Sequence, residues 1–577
     1  MPGTTQSAPT DDTVRTVSFV SLGCPKNLVD SEKMLGLLAE DGIAPVSHEA
    51  PDQVVEGANH EHSPQAGDDL SLAGSEQDDA GAGRITPADA VVINTCGFLE
   101  ASKQESLSVI KQAVEAKQRG EVKRVVVAGC LVQRHRAKML DWAPGIDAMV
   151  GVFDRDKIIE AVRGFAPNRT DLETEVEQGP KYWINANALT KAESEGMETV
   201  GLTVQGKDGK GIGYFESDAA RLRLTPRHYA YLRISEGCNQ KCAFCTIPSI
   251  RGKMRSKGEP EILGEARELL RDGAFELLLI GQDTTSYGDD IGSGLHQVAS
   301  GADADHFRGG LPKLLKSLSD VVAQETGKGW LRLMYAYPTT FGDETIDAFA
   351  ELCESGHLIP YLDIPLQHAS DNMLTAMRRH VRAEEQRELV LKLRDRVPGM
   401  AVRTTFITGF PGETEDDHAQ LLEFIEEVGF EAVGVFRYSR EQGTPAGTME
   451  ADPALAVPDE IKARRQGEIL ELQQRLCFEQ NEYLAEQFDE ADPENSGLRF
   501  DVLVDEAKGQ DEDGKWVHAG RTYFQAPKID ATTFVVAREK LSPGELVRCT
   551  IVGADGYDLI AVPTDELSRR VTLPVLG

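Results

Sequence analysis

The first third of the chain alternates short β-branched runs with longer amphipathic stretches. Between residues 16 and 164 this alternation is typical of βαβ units, and it predicts a parallel α/β domain at residues 15–165. From residue 229 to 438, six apolar runs have strand length: YAYLRI, ELLLIG, LRLMYAY, YLDIPL, VRTTFITGF and AVGVFRY. Helical patterns, such as those at 261–271 and 384–397, separate these runs. The spacing predicts a partly open (β/α) barrel of six units within a core of residues 224–480.

The pattern changes again towards the C-terminus. A long charged helix is predicted at about 458–487, followed by short strands with glycine turns: FDVLVDE, GRTYFQA, TTFVVA, LVRCTIVG and DLIAVP. These runs predict a small all-β barrel within residues 481–567. The fold class is therefore α/β, with a parallel N-terminal domain, a partly open (β/α) barrel and a C-terminal β-barrel.

Several segments lack any periodicity. Residues 1–14 are polar and are predicted to be disordered. Residues 46–84, with nine acidic residues and one arginine, are predicted to be a disordered insertion in the first domain, because they carry too little apolar surface to join a core. Residues 166–223 are predicted to form a linker, and a third, shorter insertion is predicted near 291–310.

Composition and charge restrict the cellular setting. The 577 residues suggest about three or four structural units, and no run of about 18 apolar residues predicts a membrane span or an export signal. The odd count of nine cysteines favours free thiols in a reducing compartment, so we expect a cytoplasmic protein. The net charge of −34 disfavours strong nucleic-acid binding and favours a basic protein partner.

The segment SEGCNQKCAFCTIP follows the first predicted barrel strand and places Cys238, Cys242 and Cys245 in a CxxxCxxC spacing. Three thiolates so spaced can hold three irons of a four-iron cluster and leave the fourth iron open. The alternative is a zinc loop or a group of buried thiols. Zinc sites usually have four protein ligands, and the sequence offers no second knuckle here. Loops at the C-terminal ends of barrel strands are also where such folds place their active sites.

Three further cysteines follow predicted parallel strands of the first domain. Cys24 follows TVSFVSLG, Cys96 follows DAVVINT, and Cys130 follows RVVVAG. Because the carboxyl ends of such strands share one edge of the sheet, these thiols are predicted to converge on a second cluster. The alternative is that each is a small buried residue at a tight turn. The other cysteines have no partner spacing and are interpreted as structural: Cys353, Cys477 and Cys549.

The CxxxCxxC segment resembles the signature of the radical S-adenosylmethionine (SAM) superfamily. The resemblance implies that Phe244 flanks the adenine and that the open iron chelates the amino and carboxylate groups of SAM. It further implies cofactor contacts at the turns that follow the second and fifth barrel strands. The residues concerned there are Gly281, Gln282, Asp283, Gly409 and Gly412.

The segments SLGCPKNLVDSE, VVINTCGFLEASKQES and VVVAGCL resemble the N-terminal domain of methylthiotransferases, and GRTYFQAPKID resembles their TRAM domain. The resemblance implies two 4Fe-4S clusters held by the six cysteines, together with SAM. One cluster would reduce SAM to a 5′-deoxyadenosyl radical, and the other would present the methylated sulfur. An electron donor such as flavodoxin or ferredoxin and a sulfur donor are implied as partners.

The barrel segments GQDTTSYG, YLDIPLQHAS and RTTFITGFPGETE look like the branch of this family that modifies ribosomal protein uS12 of the small subunit (the RimO type). That branch adds a methylthio group to the β-carbon of an aspartate. The alternative branch modifies adenosine near the tRNA anticodon. Residues 496–577 hold 10 Lys+Arg against 13 Asp+Glu, a net charge of −3, which favours a basic protein over RNA.

Two further residues are placed near the site by position. His368 follows a strand end, where a hydrogen-bonded structural role is favoured, and Glu236 is interpreted as a turn residue. A non-catalytic iron–sulfur or RNA-binding module is the alternative from another class of function. It is disfavoured because a pure binding module has no need of an open iron.

Overall fold

The computed structural model describes residues 14–46, 85–136, 138–164, 181–182, 217–298, 306–354 and 356–567. Nearly all of the predicted disordered N-terminus and acidic insertion, and most of the predicted linker, lie outside these ranges. The chain forms two compact units, which are described separately: Met1–Ile212 with Ala220–Leu222, and Gly213–Ala219 with Arg223–Gly577.

The first unit contains a six-stranded parallel sheet, as the pattern predicts. In sheet order the strands are Ala44–Val46, Thr16–Ser21, Ala88–Thr95, Val122–Gly129, Ala148–Val150 and Lys181–Tyr182. Its α-helices are Pro25–Glu40, Glu100–Gln118, Cys130–His135, Lys138–Trp142 and Ile158–Arg163.

Alternate residues of the central strands of this sheet pack on opposite faces. Ile93 and Val127 belong to the core beneath helix Glu100–Gln118, whereas Val92 and Val126 belong to the core on the other side. The period of two residues in a strand produces this division. Both faces of the sheet are therefore covered, and the carboxyl ends of the strands remain as the edge from which loops emerge.

The second unit begins with another parallel sheet of six strands that follow one another in chain order. They are Tyr229–Arg233, Glu276–Ile280, Trp330–Leu333, Leu358–Asp363, Ala401–Thr408 and Ala432–Arg437. The helices of this part are Ile247–Arg251, Glu259–Arg271, Gly310–Glu325, Asp343–Glu354, Asp371–Ala376, Ala383–Arg396, Glu415–Val428, Pro445–Met449 and Asp459–Glu486. All six predicted barrel strands and the long charged helix are confirmed.

A closed five-stranded barrel follows, which confirms the predicted all-β domain. Its strands are Arg499–Gln510, Trp516–Arg521, Thr533–Ala537, Leu546–Asp555 and Asp558–Pro563. The predicted strand at 520–526 was misplaced, because the strand ends at Arg521. Gln525 Oε1 accepts hydrogen bonds from the backbone N and Oγ1 of Thr522, at 3.0 and 3.2 Å, and this bonding turns the chain out of the sheet.

Buried ion pairs attach this β-barrel to the N-terminal ends of the parallel strands. Glu276, the first residue of the second strand, accepts hydrogen bonds from Arg332 Nε at 2.6 Å and from Arg521 of the β-barrel at 2.7 Å. Arg521 also contacts both oxygens of Asp505, and Asp505 Oδ1 lies 2.7 Å from Nε2 of His228. The β-barrel is therefore fixed to the edge of the sheet opposite the loops that follow the strands.

No helix in the described part of the chain combines the length and the apolar content needed to cross a bilayer.

Candidate active site

The loop that carries Cys238, Cys242 and Cys245 leaves the carboxyl end of the first barrel strand, as predicted. Gly237 precedes it with φ of 77°, and a Cβ atom there would lie 2.2 Å from the carbonyl oxygen of Lys253. Only glycine fits this position without displacing the backbone. The three thiols are half-buried, and burial raises the pKa of both Cys238 and Cys245 to about 12. Such thiols are poor metal-free nucleophiles, because a thiol is activated by losing its proton.

Cys242 has two polar neighbours that the sequence pattern did not reveal. Arg379 Nη1 lies 3.6 Å from Cys242 Sγ, and the hydroxyl oxygen of Tyr337 lies 4.0 Å from the same sulfur. The Arg379 guanidinium also stacks 4.2 Å from the centre of the Tyr337 ring. One thiol of the loop therefore faces a cation.

The turn after the second barrel strand supports the cysteine loop. Gln282 Oε1 accepts a hydrogen bond of 2.6 Å from Gly237 N, and Asp283 accepts one of 3.0 Å from Gln240 Nε2. At Gly281, a Cβ atom would lie 2.4 Å from Ser235 Oγ. The structure thus brings these three predicted cofactor-binding positions against the cysteine loop.

Phe244 and the turn after the fifth strand meet in one apolar cluster. Phe410 is buried there with Ala243, and Phe244 packs against the same cluster. The flanking Gly409 and Gly412 have φ of 74° and 87°, a left-handed backbone conformation that favours glycine. The apolar cluster therefore joins this predicted turn to the cysteine loop.

His368 and Glu236 also have defined partners. His368 Nδ1 accepts hydrogen bonds from the backbone N atoms of Ala369 and Ser370, both at 3.0 Å, so its Nε2 carries the proton and faces Glu413 at 3.4 Å. Its surroundings are those of a fully hydrogen-bonded structural histidine.

Glu236 is more than the turn residue that the sequence suggested. This buried carboxylate accepts hydrogen bonds from Arg233 at 2.8 Å, Arg251 at 2.9 Å and Gln282 at 3.0 Å. It therefore fixes the start of the cysteine loop to the sheet.

In the first unit, three loops at the carboxyl edge of the sheet carry Cys24, Cys96 and Cys130. Their strands are neighbours in the sheet, as predicted. A Cβ atom on Gly23 would lie 2.7 Å from Cys96 Cβ, and one on Gly97 would lie 2.7 Å from Leu131 Cα. The first loop therefore touches the second, and the second touches the third.

A single buried amide connects all three of these loops. Asn27 Nδ2 donates to the carbonyl oxygens of Leu22 and Thr95, at 3.0 and 2.8 Å, and Asn27 Oδ1 lies 3.5 Å from Cys130 Sγ. Asn27 is fully buried. No local sequence pattern indicates this role, because Asn27 resembles any other residue of the helix that follows Cys24.

Within the described residues, no three Cys, His, Asp or Glu side chains lie close enough to hold a single metal ion. A four-iron cluster places each thiolate on its own iron, so its ligands lie farther apart than those of one ion.

Three family profiles match separate parts of the chain. The profile described as the radical SAM superfamily matches residues 232–425, and the one described as the TRAM domain matches residues 497–563. A third, described as uncharacterized protein family UPF0004, matches residues 68–151. Each described domain therefore contains a match.

Two curated relatives match nearly the whole chain, and both are named ribosomal protein uS12 methylthiotransferase RimO. The protein from Desulforamulus reducens is 34% identical, covering 94% of this chain and 98% of its own length. The one from Symbiobacterium thermophilum is 35% identical, covering 96% of this chain and 92% of its own length. The chain belongs to the RimO family.

Solved structures give a more distant likeness to this RimO-family protein. The radical SAM methyltransferase TsrM from Kitasatospora setae, with cobalamin and a [4Fe-4S] cluster bound, aligns with a TM-score of 0.46 and 15% identity, covering 75% of this chain and 77% of that chain.

Membership of the RimO family makes this protein a radical SAM methylthiotransferase. The radical SAM superfamily implies one [4Fe-4S] cluster and SAM as cofactors.

Proposed function

We propose that this RimO-family protein attaches a methylthio group to an aspartate of ribosomal protein uS12. The observation that carries the proposal is sequence identity of 34–35% to uS12 methylthiotransferases over nearly the full length of both chains. The matched stretches cover 94% and 96% of this chain. The acidic chain, with a net charge of −34, also suits a basic ribosomal protein through electrostatic complementarity.

The test of the substrate is mass spectrometry of uS12 from cells that lack the gene. We expect the methylthio group on the aspartate to disappear and to return when the gene is restored. Unchanged uS12, together with loss of methylthioadenosine from tRNA, would place the activity on tRNA.

We assign the cluster of the barrel to Cys238, Cys242 and Cys245. The donor set fits: three thiols emerge from one supported loop, and a buried cation, Arg379, faces one of them. With SAM, this cluster supplies the one-electron chemistry needed to remove hydrogen from an unactivated carbon. The protein's part is to hold the loop in place through Gln282 and to enclose the site with apolar residues such as Phe244.

The residues predicted to contact SAM lie on the same face of the barrel as the cysteine loop. We propose that Phe244 flanks the adenine and that the turn glycines allow close approach of SAM to the backbone. The residues concerned are Gly281, Gln282, Asp283, Gly409 and Gly412. The support is their placement at the carboxyl ends of strands around the cysteine loop.

We assign a second [4Fe-4S] cluster to Cys24, Cys96 and Cys130. The fit rests on the contacts between their loops and on the shared Asn27 amide. Two of the thiols, Cys96 and Cys130, are buried. A site enclosed in this way shields a reactive sulfur from water and from oxidation.

The Asn27 amide gives a direct test of this second site. Replacing Asn27 with Asp keeps the shape but removes both N–H donors, so the carbonyl oxygens of Leu22 and Thr95 lose their partner. Each buried group left without a hydrogen bond costs about 1–3 kcal/mol. We expect iron at the second site to be lost to a chelator faster than in the wild type. The measurement is iron content over time in the full chain.

Asn495→Asp is the matched control, because Asn495 is exposed and its amide donates to Asp492. Iron release from this variant should match the wild type. Equal release rates in Asn27→Asp and wild type would show that the amide does not organise the site.

An exposed acidic hairpin in the C-terminal β-barrel offers a test of substrate attraction. Glu512 and Asp513 are exposed, whereas Asp511 Oδ1 accepts hydrogen bonds from the backbone N atoms of Asp513 and Lys515, at 3.0 and 2.8 Å, and so builds the turn. We therefore expect Glu512→Gln with Asp513→Asn to slow association with uS12 a few-fold at low salt. The effect should fade near 0.1 M salt, where exposed charges are screened over about 10 Å.

The measurement is the association rate at two salt concentrations, with SAM cleavage as the unchanged activity. Asp416→Asn with Glu423→Gln removes the same charge from an exposed helix of the barrel and serves as control. Binding to tRNA responds in the opposite direction, because loss of acidic charge favours contact with phosphate. Faster tRNA binding with unchanged uS12 binding would contradict the assignment of the hairpin.

A further inference from the structure

Arg379 is a buried cation that lacks an acidic partner. Arg379 is only 4% exposed. No carboxylate among the described residues lies within ion-pair distance of its guanidinium. Asp283, in the turn after the second barrel strand, accepts hydrogen bonds from Gln240, Thr285 and Ser286 instead. Burying an unpaired charge is costly, so such a cation needs a negative group that arrives later.

The guanidinium is held in one orientation. Nη2 donates a hydrogen bond of 2.6 Å to the carbonyl oxygen of Pro365, and the guanidinium plane stacks 4.2 Å from the centre of the Tyr337 ring. The third contact is Nη1 to Cys242 Sγ at 3.6 Å. Nε is buried and has no hydrogen-bond partner within the described part of the chain. Two contacts therefore fix the group, and the third points its charge at a thiol of the proposed cluster loop.

A thiolate at Cys242 would supply the missing negative charge. Metal-bound thiols are deprotonated, so a cluster on this loop would place its sulfur anions beside the guanidinium. Net charge and hydrogen bonds to the sulfurs are among the factors that set the potential of an iron–sulfur cluster. A fixed cation at this distance favours the state with one more electron.

We propose that Arg379 is a positioning residue that raises the reduction potential of the barrel cluster by donating a hydrogen bond to Cys242. The inference rests on the proposed assignment of Cys238, Cys242 and Cys245 to that cluster. One electron passes from a low-potential one-electron donor to the cluster. Arg379 keeps its proton, and no bond to it forms or breaks. Its effect is electrostatic, and Tyr337 serves to hold it in place.

The test compares midpoint potentials in the full chain with Cys24, Cys96 and Cys130 replaced by alanine, so that one cluster reports. Dithionite is the reductant, and the reduced cluster is followed by electron paramagnetic resonance. We expect Arg379→Gln to make reduction at least tenfold less favourable, a shift of about 59 mV to lower potential for one electron. Arg379→Lys keeps the charge and should give a midpoint between the two.

Arg378→Gln is the matched control, because the neighbouring arginine is exposed. Its midpoint should equal that of the parent. Equal midpoints for Arg379→Gln and Arg378→Gln would overturn the proposal. If Arg379→Gln loses its iron, retention in Arg379→Lys supports the need for a cation, and equal loss in both overturns it. Absence of a cluster in the parent would instead contradict the cysteine assignment itself.

Discussion

Replacing Cys238, Cys242 and Cys245 by alanine is expected to remove about half of the iron and to abolish reductive cleavage of SAM. These thiols are the proposed ligands of the cluster that binds SAM through its open iron. The chain offers no other thiol on that loop. The measurements are iron content after anaerobic reconstitution and formation of 5′-deoxyadenosine on reduction.

Replacing Cys24, Cys96 and Cys130 should remove the other half of the iron and spare cleavage, because these thiols lie on loops of the first unit. Alanine at Cys353, Cys477 and Cys549 removes the same number of thiols and should leave both iron and cleavage unchanged. Similar loss of cleavage after either of the first two triple replacements would mean that the two sites are not separable.

Arg521→Ala is expected to lower the free energy of unfolding of the second unit by about 3–5 kcal/mol. Its guanidinium contacts two carboxylates, those of Glu276 and Asp505, and its loss would leave both without this cation. Glu276 is fully buried. A buried charge that loses one of its partners costs far more than an exposed one, although Arg332 still contacts Glu276. The measurement is the urea midpoint of the unfolding transition that involves the β-barrel.

Arg548→Ala provides the matched control for this prediction. Arg548 and Asp501 form an exposed pair at 3.3 Å on the same β-barrel, and such pairs contribute about 0–1 kcal/mol. An equal shift of the midpoint in both variants would show that the buried network does not hold the two parts together.

The same network predicts a dependence on pH. Burial alone would raise the pKa of Glu276, but attraction to Arg332 and Arg521 and their hydrogen bonds outweigh it, so the pKa is lowered. A carboxylate with a lowered pKa contributes its full stabilisation at pH values above its ordinary pKa. This stabilisation is lost as the pH falls through the lowered pKa. The difference between wild type and Arg521→Ala should therefore shrink in acid, below about pH 4.

The hydrophobic pattern predicted the two parallel sheets and placed the cysteines at the ends of their strands. The apolar runs of the barrel have the length of strands, and helical periods lie between them, so their order followed from local sequence. The edge at which the cysteines meet followed from a general property of parallel sheets. Each of these inferences needs only residues that are close in the chain.

The partners of the site needed the folded structure. Arg379 and Cys242 are 137 residues apart, and Glu276 and Arg521 are 245 residues apart. Nothing near Glu276 in ELLLIG distinguishes a buried carboxylate from an exposed strand end. The prediction of a strand at 520–526 was wrong for a related reason. The side chain of Gln525 competes with the sheet for the backbone N–H of Thr522.

Because the β-barrel is attached through buried ion pairs, the length of the parallel strands sets its distance from the cysteine loop. The β-barrel is bonded where the strands start, and the cysteine loop emerges where the first strand ends. The strands that separate these two ends have four to eight residues, which corresponds to about 13–26 Å at roughly 3.3 Å per residue. A substrate recruited at the β-barrel must therefore extend over that distance before its aspartate reaches the reacting centre. The length of the substrate segment between its binding point and its aspartate, and not only its charge, would then decide which proteins are modified.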